Sequence, residues 1–121
     1  MLKVRIEELG RVAILRVRGT IVAGPELETF RKTVMSQLDV SAVLVDLARV
    51  SRIDAGGLGV LLQLHEHFES SGVEFRLMKV TKLVRQVLEI TRLDTVFEIS
   101  SEENPPTDEL SLKASNEVAV G

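Results

Sequence analysis

The chain has 121 residues, 45% of them apolar, and carries 15 Lys and Arg against 18 Asp and Glu for a formal charge of −3. That length and composition fit one globular domain able to bury a core of its own. The absence of cysteine excludes disulfides, thiolate metal sites and Cys nucleophiles, while four Phe with no Trp or Tyr on a mildly acidic chain argue against a nucleic-acid partner.

Leu2, Val4 and Ile6 alternate with Lys3, Arg5 and Glu7, the period of a strand with one wet face. A short turn at Glu8–Arg11 leads to a second alternating run, Val12 to Arg18, so the two read as an antiparallel hairpin. Gly19 is expected to end the second strand, with Thr20–Gly24 as a connection. Pro25 suits the first turn of a helix, and Leu27, Phe30, Val34 and Leu38 follow at helical spacing. Ala42–Leu47 is nearly continuous apolar and β-branched sequence, the mark of a central strand covered on both faces. Arg49–Asp54 reads as a polar turn with two apolar anchors, Val50 and Ile53.

Leu58, Leu61, Leu62, His65 and Phe68 share one helical face, and Ser70-Ser71-Gly72 stops that helix. Phe75, Leu77 and Val80 are placed in a further strand. Thr81 caps a helix whose inner face is Leu83, Val84, Val87, Leu88 and Thr91, and Val96–Ile99 is a last short strand. From Ser100 the sequence turns polar, with the breaker run Ser100–Pro106, and Thr107–Ala114 has the pattern of one short helix. The expected order is β-β-α-β-α-β-α-β. The fold class is therefore α/β: a mixed sheet, its opening hairpin antiparallel and its later strands parallel, with the helices mainly on one face.

The first ten residues have no apolar h-region and no run approaches ~18 consecutive apolar residues, so neither a signal peptide nor membrane insertion is expected, and the default is a cytoplasmic protein. The stretch with most to say about function is Asp54-Ala55-Gly56-Gly57-Leu58-Gly59, a corner between the central strand and an apolar helix. Asp54 is suited to cap that helix, and Gly56 and Gly57 allow a tight bend and close approach by another surface. The plain reading is a capped strand-to-helix turn and no more. The turn nevertheless lies beyond the carboxyl end of a central strand, where α/β sheets tend to place function.

The run Val45-Asp46-Leu47-Ala48-Arg49-Val50-Ser51-Arg52-Ile53-Asp54-Ala55-Gly56-Gly57-Leu58-Gly59-Val60-Leu61-Leu62 resembles the signature of STAS domains, and among them the bacterial anti-sigma factor antagonists. The opening hairpin, Gly19, the Ser71-Gly72 helix end and the Thr91-Arg92-Leu93 turn agree with it. The resemblance covers about residues 1–100, as a STAS-like domain, and leaves 101–121 as a polar tail. It implies a non-enzymatic regulator that binds an anti-sigma factor, usually a kinase of the GHKL type. By the same resemblance the contact residues are Ser51, Asp54, Ala55, Gly56, Gly57 and Leu58. The chain departs from the family at one telling place. Where the family pattern has a phosphorylatable Ser after the Asp stands Ala55, followed by Gly56, and neither has a hydroxyl. Regulation by phosphate at that position is therefore ruled out. Family members that serve as subunits of membrane-associated lipid-transport ABC complexes also lack this Ser, which makes such a subunit the alternative reading.

Ser51 keeps a hydroxyl nearby, though a Ser at a strand end more commonly hydrogen-bonds locally. His65 and His67 are two apart, on roughly opposite helix faces, so no metal site is expected and His65 reads as a packed residue. Gly57-Leu58-Gly59 lacks the third Gly of a dinucleotide loop, and no P-loop pattern occurs, so no cofactor is expected. Asp46 lacks the acidic pair of a receiver domain, and Asp46 with Asp54 has no evident pocket for acid/base work. A homodimer is left open by the composition.

Overall fold

The computed structural model describes residues 1–37 and 39–100. Leu38 and the helix expected at 107–114 lie outside these. The elements follow the expected order: β1 (Leu2–Leu9), β2 (Val12–Ile21), α1 (Pro25–Gln37), β3 (Ala42–Ile53), α2 (Ala55–Ser70), β4 (Glu74–Met78), α3 (Lys82–Ile90) and β5 (Glu98–Ile99), with one 3-10 turn at Leu93–Thr95.

The five strands form one sheet in sequence order. β1 and β2 are antiparallel, joined by a two-residue turn in which Gly10 takes φ +60° at the first central position, where such turns favour Gly. The pairs β2–β3, β3–β4 and β4–β5 are parallel. Because strand order never reverses and parallel crossovers are right-handed, every helix among the described residues falls on the same face. The core lies between that face and the helices. Leu15, Val17, Val43, Val45, Leu47, Phe75 and Leu77 of the sheet meet Leu27, Phe30 and Val34 of α1, Leu58, Leu61, Leu64 and Phe68 of α2, and Val84 and Leu88 of α3. The outer face has a smaller apolar group, Ile14, Leu44 and Met78, beside charged side chains. Buried Asp46 accepts from Arg16 at 2.7 Å there, and Arg16 also reaches Glu7. Partial burial works against the Arg16 charge, but the bonds to Asp46 and Glu7 outweigh it and raise its pKa.

Several boundaries differ from expectation. Gly19 does not end β2. It sits in the strand at φ +104°, beside a register shift, and pairing continues to Ile21. A Cβ at Gly19 would lie 2.2 Å from the Met1 carbonyl oxygen, which accepts from Thr20 N–H at 2.7 Å. The polar turn expected at Arg49–Asp54 is instead the second half of β3 as far as Ile53, with Asp54 as the cap of α2. Val50 is buried and Ile53 pairs with Ile21, so the two apolar anchors hold the polar run in the ladder. β4 stops at Met78, before Val80, where Lys79 takes φ +55°. β5 has two residues, because Leu93–Thr95 turns and Phe97 is drawn into the core. Leu83 is 48% exposed, so the inner face of α3 rests on Val84 and Leu88.

Helix ends follow their signals. Glu26 and Glu28 lie in the first turn of α1, where negative charge complements the helix dipole. Gly72 takes φ +78° after α2, and Val73 N–H returns to Phe68 O at 2.8 Å. Thr81 caps α3 by accepting from Val84 N–H at 3.2 Å.

Candidate functional site: the corner between β3 and α2

Asp54 organises the corner. Its backbone is extended, and its carboxylate accepts from Gly57 N–H at 2.8 Å, closing the first turn of α2. Both carboxylate oxygens also lie 3.2 Å from the Ala23 N–H, in the β2–α1 connection 31 residues upstream. The Asp54 N–H donates to Ile21 O at 3.3 Å, and Asp54 O accepts from Leu58 N–H at 2.9 Å. One side chain therefore ties two crossover loops and a helix end together.

The backbone N–H of Gly57, then that of Ala23, favour the charged carboxylate and outweigh its desolvation. Gly56 N–H and the charge of Arg52 add to the effect, so the Asp54 pKa lies below its ordinary value near 3.8. A lowered folded pKa gives a contribution that is intact above the unfolded value and is lost as pH falls through the folded value. Asp54→Asn keeps a capping oxygen but cannot titrate. It is expected to flatten the acid-side loss of stability below about pH 4, read from urea midpoints over a pH series. An unchanged pH slope would contradict this role for Asp54.

Gly56 and Gly57 do not make the bend. Both lie within α2, and neither has a positive φ. Their lack of a side chain serves the protein's own packing: a Cβ at Gly57 would fall 2.0 Å from Ile21 O, and one at Gly56 would fall 2.8 Å from the Ala23 Cβ. Leu58 and Gly57 are buried. Ser51 and Ala55 are exposed and Asp54 and Gly56 are half-buried. Of the six residues assigned to a contact surface, four thus reach solvent in some part, while Gly57 and the Leu58 side chain support from beneath. Ser51 Oγ donates to Gly19 O at 3.3 Å, the local bond expected of it.

Sequence reasoning missed Arg52, which is exposed between Ser51 and the corner, and Ala23-Gly24, which extend the same surface from the neighbouring loop. The one signal for the loop is its run of small residues just before a Pro-initiated helix. His65 is part-buried, edge-on to Phe75 and Phe97 at centroid distances of 6.0 and 5.6 Å, while His67 is exposed. Among the described residues no three His, Asp or Glu side chains gather as a metal site, and no helix is long and apolar enough to cross a membrane.

A mixed sheet led by a hairpin, with all the described helices on one face and a capped corner after its central strand, defines a small α/β domain. The STAS domain family model matches residues 3–104, and the chain belongs to that family. Its fold is similar to that of the anti-sigma factor antagonist SpoIIAA in its unphosphorylated form, at TM-score 0.73 and 20% identity over 93% of this chain and 100% of that one. It is also similar to an anti-sigma factor antagonist from Mycobacterium paratuberculosis, at TM-score 0.70 and 21% identity over 95% and 96% of the two chains. A sulfate transporter family protein from Wolinella succinogenes matches at TM-score 0.68 and 17% identity, over 79% and 83%.

Proposed function

We propose that the protein is an anti-sigma factor antagonist: a cytoplasmic, non-catalytic domain that docks its β3–α2 corner on an anti-sigma factor of the GHKL kinase type and so regulates sigma-factor-dependent transcription. The observation that carries this reading is the position of Ala55. It stands exposed at the first residue of α2, on a corner that Asp54 pins from both sides. In the family pattern this position holds the serine that the partner kinase phosphorylates. Ala55 cannot accept a phosphate, so docking here is not switched off by modification at that place. The contact set consists of Ser51, Asp54, Ala55 and Gly56, extended by Arg52 and Ala23, over the buried support of Gly57 and Leu58.

The lack of a hydroxyl at Ala55 also suits a second reading with a different partner, a STAS subunit of a membrane-associated lipid-transport ABC complex, and the fold itself is shared with a sulfate transporter family protein. Purified GHKL-type anti-sigma factors and ABC ATPases encoded in the same genome separate the two when titrated against the full chain by calorimetry. A saturable complex with the former, and none with the latter, is the expected result. The reverse would overturn the antagonist reading.

A further inference from the structure

The net charge of −3 conceals a concentration of positive charge on the outer face of the sheet. In the β1–β2 register Lys3 stands directly opposite Arg18, and Arg5 opposite Arg16. In the β2–β3 register Arg18 meets Arg49, and Arg16 meets Asp46. Two ranks therefore run across three strands, Lys3–Arg18–Arg49 and Arg5–Arg16–Asp46, and all six residues line one half-open cleft of about 290 Å³. A third of the chain's 15 cations border this one depression.

The two ranks differ in their partners. The second is neutralised internally. Arg16 bonds Asp46 at 2.7 Å and Glu7 at 3.3 Å, and Arg5 bonds Glu7 at 3.1 Å. The other oxygen of Asp46 accepts from Ala48 N–H at 2.9 Å, so this carboxylate is satisfied and does little to repel an incoming anion. In the first rank, Lys3, Arg18 and Arg49 form no ion pair with any described residue. Like charges directly opposite one another destabilise a sheet, and here two such juxtapositions meet at Arg18. An anion between them removes the repulsion.

We propose that this cleft is a binding site for a small soluble anion bearing two adjacent phosphoryl groups. Strands about 4.8 Å apart make the first rank roughly 10 Å wide, which suits a diphosphate better than a lone phosphate. The volume is at the lower limit of small-molecule sites, and among the described residues none that lines the cleft is aromatic. Recognition is therefore of charge, with guanidinium forks from Arg18 and Arg49 and a point charge from Lys3. The site lies on the sheet face, and the assignment does not depend on the docking reading of the corner.

Inorganic pyrophosphate is the probe, titrated into the full chain at 150 mM salt (a condition near physiological) and followed by calorimetry. Saturable one-to-one binding is expected. It should weaken at least tenfold in Arg18→Gln/Arg49→Gln and in Lys3→Gln, and stay unchanged in the control Arg85→Gln on α3. The unliganded double variant should melt no lower than the wild type, since it loses repulsion and no ion pair. Absence of saturable binding, equal binding by the double variant, or binding seen at low ionic strength only would overturn the assignment. So would association with phosphatidic acid vesicles without any binding of free pyrophosphate, which would assign the cations to a membrane surface.

Discussion

Gly57→Ala is expected to lower the melting temperature by up to about 15 °C, while Gly59→Ala two positions on raises it. Both residues lie in α2, where Ala exceeds Gly in intrinsic helix stability by roughly 1 kcal/mol. At Gly59 nothing lies within 4 Å of an added Cβ, so that gain is realised in full. At Gly57 the added carbon meets the Ile21 carbonyl oxygen at 2.0 Å, and that oxygen already accepts from Asp54 N–H. Backbone cannot rotate aside as a side chain would, so α2 has to move off β2. Overpacking of this kind costs about 1–3 kcal/mol and at times more, and each kcal/mol corresponds to about 4–8 °C in a domain of this size. Thermal unfolding followed by circular dichroism measures both. Equal, small effects at the two positions would mean that the close approach of α2 to β2 is not as described.

Ala55→Asp is expected to leave the fold intact and weaken docking roughly a hundredfold. The position is exposed at the start of α2, where a negative charge complements the helix dipole and stabilises by roughly 0.3–1 kcal/mol. The melting temperature should therefore hold or rise slightly. In a docked complex the same charge would be desolvated beside Asp54, and a misplaced charge at an interface costs several kcal/mol. A loss of about 3 kcal/mol corresponds to a Kd roughly a hundredfold weaker. The separation of the two readouts is the point of the experiment, since a merely structural role for Ala55 would move both together. Ala55→Ser adds only a hydroxyl and should bind as the wild type does. An Ala55→Asp variant with unchanged affinity for the anti-sigma factor would remove the corner from the interface.

Element order and the inward faces were legible because period-two and period-3.6 patterns are strong in β1, β2 and α2, and because Pro25, Gly72 and Thr81 mark helix ends by local chemistry. The extent of β2 and β3 was not. Gly19 reads as a stop, yet its positive φ carries the chain through a register shift and onward, and the polar residues after Leu47 remain paired because Val50 and Ile53 anchor them. In the site, the capping role of Asp54 followed from its position before an apolar helix. Its second bond, to Ala23, joins residues 31 apart and leaves no local trace. Gly56 and Gly57 were legible as close-approach positions, but the approaching surface is the protein's own: Ala23 of the β2–α1 connection at Gly56 and the end of β2, Ile21, at Gly57. Leu58 belongs both to the apolar face of α2 and to the corner, and burial settles it on the core side. The cation cleft depends on the registers of three strands at once, so the alternation of Lys3 with Arg5 and of Arg16 with Arg18 could not reveal it alone.

The central claim is tested most directly by amide hydrogen exchange on the full chain, free and saturated with the anti-sigma factor proposed as its partner. Slowed exchange confined to residues 51–59 and 22–24, with the outer face of β1 and β2 unaffected, is the predicted result. Protection elsewhere, with the amides of Ala55 and Gly56 exchanging as fast in the complex as in the free protein, would contradict the account.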